Sequence, residues 1–486
     1  MAGSVIASSA RLEELTAGFL REHRPRGLAG VAAGVVRDGE LAWSAGCGLA
    51  DVAAGRVPDE TTLLRIASIT KTFTGTAIMQ LAGTGGLHLD DPAVRHLPEL
   101  RAIGSPFGPV ETLTIRRLLS HESGLQGEPP GTDWAGPAYE GSAERNLARA
   151  AEAGLMVPPN SQSKYSNLGY QLLGEIVARV SGTPYPDYLR QAILEPLGLS
   201  STGFGPLPDV LAARCATGYR CEPFTDVLVP AAVAPAVHAE GGLWSSVADL
   251  ARWLAFQLSA YPASGAAGGP ANGMAGGAAN GMAGGAAADP KVLPAAELRA
   301  MHTPRYLADP DWARAWGISW FATRRDGVVW IQHDGGLPGF TSTVCFDRKR
   351  PLGAIVLANG IAPTAELAFA LAAAAGEEAP GRPAGGQAVL VPADVQPLLG
   401  LYSMPELGVT LRLEWRDGAL ALTDPEVPSY RPELTPAGDP DTFTVGPGFR
   451  ESGERAVFRR RADGQVTAMF LAAMTLTRLD PVPADS

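Results

Sequence analysis

Ser68 and Lys71 put a hydroxyl and an amine three residues apart, where a short apolar run (63–67) gives way to a helix-like one (72–81). Positions i and i+3 share a helix face about 5–6 Å apart, close enough for the two groups to share a proton. A serine hydroxyl is a poor nucleophile at its own pKa and needs such a neighbour. The pair therefore has the chemistry of a covalent acyl-transfer centre, although a helix-capping serine beside a solvated lysine meets the same spacing. Lysine usage favours the chemistry. Lys71, Lys164, Lys291 and Lys349 are the only lysines, and arginine carries the positive charge elsewhere. A lysine kept in such a chain fits a group that must release its proton, which arginine does not do. At a helix N-terminus, Ser68 would also have free N–H groups and the helix dipole to favour developing negative charge.

Such a pair still needs a second proton carrier, an oxyanion hole and groups that hold substrate. Tyr165 and Asn167 stand on a polar loop just before a helical pattern. A phenol of pKa about 10 becomes a base when a nearby cation depresses it, and Lys71 is the candidate cation. Asn167 brings both a donor and an acceptor, suited to gripping an amide. Alone, the same residues describe a tyrosine packed at a helix start with asparagine capping it. His333, Asp334, Gly335 and Gly336 follow an apolar strand-like run (328–332). Glycines there let a substrate backbone lie against the strand edge, while a plain Asp-Gly-Gly turn is the competing reading. A backbone N–H from this stretch, paired with that of Ser68, would form an oxyanion hole worth about 3–4 kcal/mol per donor.

Ser-x-x-Lys at 68–71, Tyr-x-Asn at 165–167 and His-x-Gly at 333–335, in that order, resemble the serine β-lactamase and penicillin-binding-protein superfamily. The likeness is to its class C-like branch, with esterases and D-aminopeptidases. Residues 114–125 (including Ser120, His121, Ser123 and Gly124), 241–251 and 336–340 are similar to further family segments, and the resemblance covers 8–375. It implies Ser68 as nucleophile, Lys71 as its proton acceptor and Tyr165 as partner base and leaving-group acid. Which of Lys71 and Tyr165 takes the serine proton stays open. By the same match Asn167 holds the acyl side chain, and the N–H groups of Ser68 and Gly336 form the oxyanion hole. Penicillin-handling relatives carry Lys-Thr-Gly where this chain has His333-Asp334-Gly335. Histidine is mostly neutral at pH 7, so the expected chemistry is ester, thioester or amide acyl transfer on peptide-like substrates rather than efficient β-lactam hydrolysis. No Gly-x-Ser-x-Gly elbow of an α/β-hydrolase occurs.

The elements that must position these groups follow from periodicity. Residues 8–19 read as an amphipathic helix, and 28–36 and 41–49 as strands around Asp38-Gly39, a hairpin signal. Helical patterns fill the middle at 68–84, 115–120, 144–153, 167–180, 248–258 and 295–301. Strand patterns return at 318–323, 327–333, 341–346 and 353–359, then a helix at 364–375. Strands from both chain ends around a helical middle predict an α+β fold: one antiparallel sheet flanked by helices, with an all-helical lobe beside it. Residues 1–378 form the expected catalytic domain, broken by an Ala/Gly/Asn/Met-rich insertion at 261–290 expected to be disordered. A Pro/Gly-rich linker (379–390) precedes residues 391–486. There, short alternating runs at 409–415, 419–423, 442–445, 456–461 and 466–471 read as a small antiparallel β-barrel. This piece resembles the lipocalin-like barrel of some peptidase and esterase relatives. It also resembles the architecture of stand-alone penicillin-binding-protein-type thioesterases, which release and cyclise nonribosomal peptides.

Composition bounds the partners. A net charge of −11 and a pI near 5.2 argue against nucleic acid. No run reaches the roughly 18 apolar residues of a membrane span, and the first twenty residues lack a signal-peptide pattern, so a cytoplasmic location is expected. Cys47, Cys215, Cys221 and Cys345 lack metal-ligand spacing and read as reduced thiols, although Cys215 and Cys221 are close enough in sequence to bridge. No metal or cofactor is implied. The expected partner is a small-molecule or peptide substrate, including a carrier-protein-bound or activated peptidyl thioester. Whether water or an amine resolves the acyl-enzyme stays open, as do a carboxylesterase or D-aminopeptidase role, an acylated sensor and the oligomeric state.

Overall fold

The structure is a computed structural model that describes residues 3–128, 147–148, 150, 152–222, 227–231, 239–261, 292–307, 314–325, 327–376, 392, 395–404, 409–416, 419–423, 432–446, 452–461 and 463–479. The expected insertion beyond Tyr261, the linker and half of the helix read at 144–153 lie outside the described residues.

An eight-stranded sheet is built from both ends of the first 376 residues. Its strands are β1 (Gly30–Arg37), β2 (Glu40–Gly48), β3 (Tyr306–Leu307), β4 (Arg314–Trp316), β5 (Phe321–Arg325), β6 (Val328–Leu337), β7 (Phe340–Asp347) and β8 (Leu352–Ala358). They lie in the order β2-β1-β8-β7-β6-β5-β4-β3, with antiparallel neighbours throughout. The register Val31↔Ala358 through Arg37↔Leu352 joins the N-terminal hairpin to the C-terminal strands. Both faces of the central strands are covered, which is why β1 and β8 read as nearly continuous apolar runs. Val31, Ala33 and Val35 of β1 and Ala354 and Val356 of β8 pack with helices α1 (Gly3–His23) and α6 (Thr364–Ala375). The alternate residues Ala32, Val36, Ile355 and Leu357 join the larger core around α4 (Val247–Leu258), α2 (Thr70–Gly83) and α3 (Asn167–Ser181). Helix α5 (Ala295–His302) adds Leu298 and Met301 to that core. The result is the expected α+β arrangement, a sheet between helices with a helical lobe on one side.

Two strand boundaries differ from the sequence reading. Ile318 and Trp320 are fully buried, yet they sit on a turn with Ser319 at φ 61°, and β5 begins only at Phe321. Burial there comes from packing under Met301, whose carbonyl accepts from the Ile318 N–H, and not from a strand's alternation. Strand β6 runs five residues beyond the apolar stretch, through His333 and both glycines to Leu337, because β7 pairs with it continuously to Leu337↔Phe340. The reversal is made by Pro338 and Gly339 instead of an Asp-Gly-Gly turn.

The C-terminal residues form a closed antiparallel barrel of β9 (Gly400–Met404), β10 (Val409–Arg416), β11 (Ala419–Thr423), β12 (Glu433–Pro436), β13 (Thr442–Val445), β14 (Arg455–Arg460), β15 (Val466–Leu471) and β16 (Met474–Leu479). Strands β9, β12 and β16 went unread in the sequence. The β15–β16 turn, for one, is made by Ala472 and Ala473 at φ 47° and 66°, positions usually marked by Asn or Gly. All four cysteines are free thiols, so Cys215 and Cys221 do not bridge. No helix among the described residues is long and apolar enough to cross a membrane.

Candidate active site

Ser68 is presented by a strained turn. A 3-10 turn (Ala67–Ile69) leads from the short strand Leu64–Arg65 into α2, and Ala67 holds φ 45°. A left-handed residue that carries a Cβ costs on the order of 1–2 kcal/mol, so the surrounding packing must impose it. Every residue from Thr62 to Met79 is buried except Ser68, which is half-buried. The hydroxyl is thus the one reachable group in an otherwise closed segment. One helical turn on, Lys71 has no exposed surface, and its Nζ donates to Ser68 Oγ (3.1 Å) and to the Glu240 carbonyl (2.7 Å). The Glu240 carboxylate in turn accepts from Gln171 Nε2 on α3 (2.9 Å), which ties that loop to the helical lobe.

Tyr165 and Asn167 arrive from the other side. The Lys71 Nζ stands 5.0 Å from the Tyr165 ring centroid and 5.5 Å from that of Tyr170. Ser166, not Asn167, caps α3: its Oγ accepts from the Gly169 N–H (2.9 Å). Asn167 is thereby freed for other work, and its Nδ2 donates to Glu128 Oε1. Tyr165 packs with Trp316 and Phe321 of the sheet and stacks on His121 at 4.3 Å between ring centroids.

His333 is buried at the strand, and its Nδ1 donates to the Asp334 carbonyl (2.7 Å). Burial foremost, and then the charge of Lys71, pushes its pKa down to about 3, so the ring is neutral at physiological pH. Its buried Nε2, an acceptor in this tautomer, has no hydrogen-bond partner among the described residues. The Asp334 carboxyl is pushed up by burial, against hydrogen bonds from Thr343 and Gln332. Gly335 brings β6 against the nucleophile turn: a Cβ here would lie 2.3 Å from the Ile66 carbonyl oxygen and 3.0 Å from the Ala67 Cβ. Gly336 faces open space. Strand β5 pairs with β6 only as far as Gln332, so among the described residues the edge of β6 from His333 onward has no strand on that side. The structure thus brings Ser68 and Lys71 into direct contact, sets the Lys71 amine over the Tyr165 ring and lays Gly335 against the turn that carries Ser68, with Asn167 two residues from Tyr165 and His333 and Gly336 flanking Gly335 on β6.

Other residues of this neighbourhood carried no stated role in the sequence. His121 sits at φ 57° and its Nδ1 accepts from the Ser166 N–H (3.1 Å), while the Lys164 N–H donates to its carbonyl (2.8 Å). Burial, reinforced by Lys71, holds its pKa well below the usual value, which keeps Nδ1 available as an acceptor. The stretch 114–125 resembles a family segment, but nothing in its pattern assigns the imidazole a contact. Glu128 and Glu240 lacked any periodic or motif signal.

A family model described as Beta-lactamase matches residues 14–377. Protein flp of Staphylococcus aureus (strain COL) is 27% identical over 334 residues, 67% of this chain and 58% of that protein. Esterase EstB of Burkholderia gladioli is 36% identical over 206 residues, 40% of this chain and 51% of that one. The chain thus matches less than two thirds of the length of these curated relatives. Among solved structures, the octameric penicillin-binding protein homologue from Pyrococcus abyssi has a TM-score of 0.63 at 23% identity, covering 96% of this chain and 99% of that one. SurE gives 0.60 at 25%, covering 98% and 99%, and SurE with D-Leu gives 0.56 at 26%, covering 99% and 100%.

Proposed function

Because this chain belongs to the Beta-lactamase family, we propose that it is a serine acyl-enzyme catalyst cleaving or transferring ester, thioester or amide bonds of peptide-like substrates. The observation that carries the reading is the contact between Ser68 Oγ and the buried Lys71 Nζ at 3.1 Å, with the serine as the one accessible residue of its segment. In this reading the Ser68 oxygen attacks the substrate carbonyl as its proton passes to Lys71 or Tyr165. The N–H groups of Ser68 and Gly336 receive the oxyanion, and the same proton returns to the leaving group. Asn167, held by Glu128, grips the acyl side chain. From His333 onward, where β6 has no strand beside it among the described residues, its edge offers backbone groups to an extended substrate, the geometry of β-strand addition. Neutral His333 supplies an acceptor and no fixed positive charge, which disfavours a β-lactam carboxylate as the group to be held.

The likeness to esterase EstB supports hydrolysis by water. The likeness to SurE over 98% of the chain, barrel included, and the SurE structure with D-Leu support an amino-acid-derived substrate. A peptidyl thioester, free or carrier-bound, with an amine closing the acyl-enzyme to a cyclic product is the second reading. Both share one test. A fluorophosphonate probe is expected to label the wild-type chain at Ser68 and to leave Ser68→Ala unlabelled and inactive on p-nitrophenyl esters. Full turnover by Ser68→Ala sinks the mechanism. With a peptidyl thioester as donor, purely linear acid as product sinks the cyclase reading and leaves the hydrolase.

A further inference from the structure

One hairpin of the barrel lies against the site. Strand β13 and the start of β14 are held together by the Val445 N–H donating to the Glu454 carbonyl (2.9 Å) and the Gly453 N–H donating to the Val445 carbonyl (2.8 Å). Beside them Ser452 is fully buried. Gly453 holds φ 75°, and a Cβ on it would stand 2.5 Å from Val157 Cγ1 and 3.0 Å from the Met156 carbonyl oxygen. Only a glycine lets the hairpin press this closely on the catalytic half. From that position Glu454 Oε1 accepts from Lys164 Nζ at 2.8 Å and from the Gly127 N–H at 3.3 Å.

Both contacts bear on the same motif. Lys164 is wholly buried and directly precedes Tyr165. The Gly127 carbonyl accepts from the N–H groups of Asn167 (2.8 Å) and Leu168 (3.0 Å). One carboxylate, 290 residues along the chain from Lys164, therefore holds the stretch from Tyr165 to Asn167 at both ends. An exposed ion pair would contribute little, whereas removing one partner of a buried pair is the costly change.

We infer that Glu454 is a positioning residue: its ion pair with Lys164 and its bond to the Gly127 N–H fix Tyr165 and Asn167 relative to Ser68, so the barrel hairpin completes the catalytic geometry. This rests on the proposed acyl-enzyme role of Ser68. The 486-residue chain and a fluorophosphonate probe test it, with the maximal labelling rate, the probe's half-saturating concentration and the final stoichiometry measured separately. Glu454→Gln keeps the shape and an oxygen for Gly127 but loses the charge. Its labelling rate is expected to fall about 10- to 100-fold with final stoichiometry near that of the wild type, the cost of a misplaced catalytic group. Lys164→Met should fall comparably, and the double variant should lose less than the product of the two losses, because the partners act as one unit. A merely structural role would lower the final stoichiometry at an unchanged rate. That outcome, or a wild-type rate in Glu454→Gln, overturns the inference while labelling at Ser68 stands. Wild-type labelling at another residue overturns the acyl-enzyme reading and this inference with it.

Discussion

At the residue scale the site depends on two fully buried side chains and on the partners that surround them. Lys71 is closed off from water, and its neighbours include a hydroxyl, a carbonyl and aromatic faces. Lys71→Arg keeps a cation but has no accessible deprotonated form, and its planar fork does not fit the pocket of a linear amine. The variant should lose about 10²- to 10⁴-fold in kcat with its circular dichroism unchanged. An ester-hydrolysis rate within threefold of wild type would remove lysine from the proton path and leave Tyr165 as the base. His121 shows the complementary case, a histidine whose use is to stay neutral. Its Nδ1 can accept from the Ser166 N–H only as the free base, and burial ensures that state.

At the element scale, function rests on how closely β6 approaches the turn before α2. Gly335 opposes Ser342 in the ladder and lies against Ile66 and Ala67, while Gly336, one residue on, faces open space. The alternation of a strand assigns these neighbours opposite fates. Gly335→Ala should lower stability by about 1–3 kcal/mol through overpacking against a backbone carbonyl, and should displace the nucleophile turn. Gly336→Ala should leave the melting temperature unchanged. Equal melting temperatures for the two variants would contradict this packing. The sequence announced α2, α3 and the paired strands well, since long apolar periodicities survive any neighbour. It misplaced the start of β5, because Ile318 and Trp320 are buried by a turn folded under α5 and not by a strand's period.

At the scale of the whole molecule, buried neutral histidines couple stability to pH. His302 is fully enclosed, accepts from the Tyr261 hydroxyl at Nδ1 (3.1 Å) and donates from Nε2 to Gln257 Oε1 (2.9 Å). Burial pushes its pKa down to about 3 from an ordinary value of 6.5. Because the folded pKa is the lower one, the unfolded chain takes up the proton first as pH falls. The contribution is intact above about 6.5 and is lost progressively between 6.5 and 3, at up to about 1.4 kcal/mol per pH unit for this group. His302→Gln, which keeps a donor and an acceptor, should therefore lose stability less steeply than wild type between pH 6 and pH 4, as read by urea midpoints. Parallel slopes would show that His302 titrates normally in the folded chain.

The sequence by itself determined the chemistry on offer: a serine and a lysine on one helix face, a tyrosine and asparagine at another helix start, and glycines at the end of a strand. Those are local facts, set by spacing within one element. It also determined the fold class, because alternation and helical period persist through any tertiary context. Only the tertiary structure decided that Glu128 holds Asn167, that Glu240 holds Lys71, and that Glu454 comes from the barrel to meet Lys164. Each joins residues far apart in the chain, and no spacing rule relates partners whose distance is set by how separate elements pack.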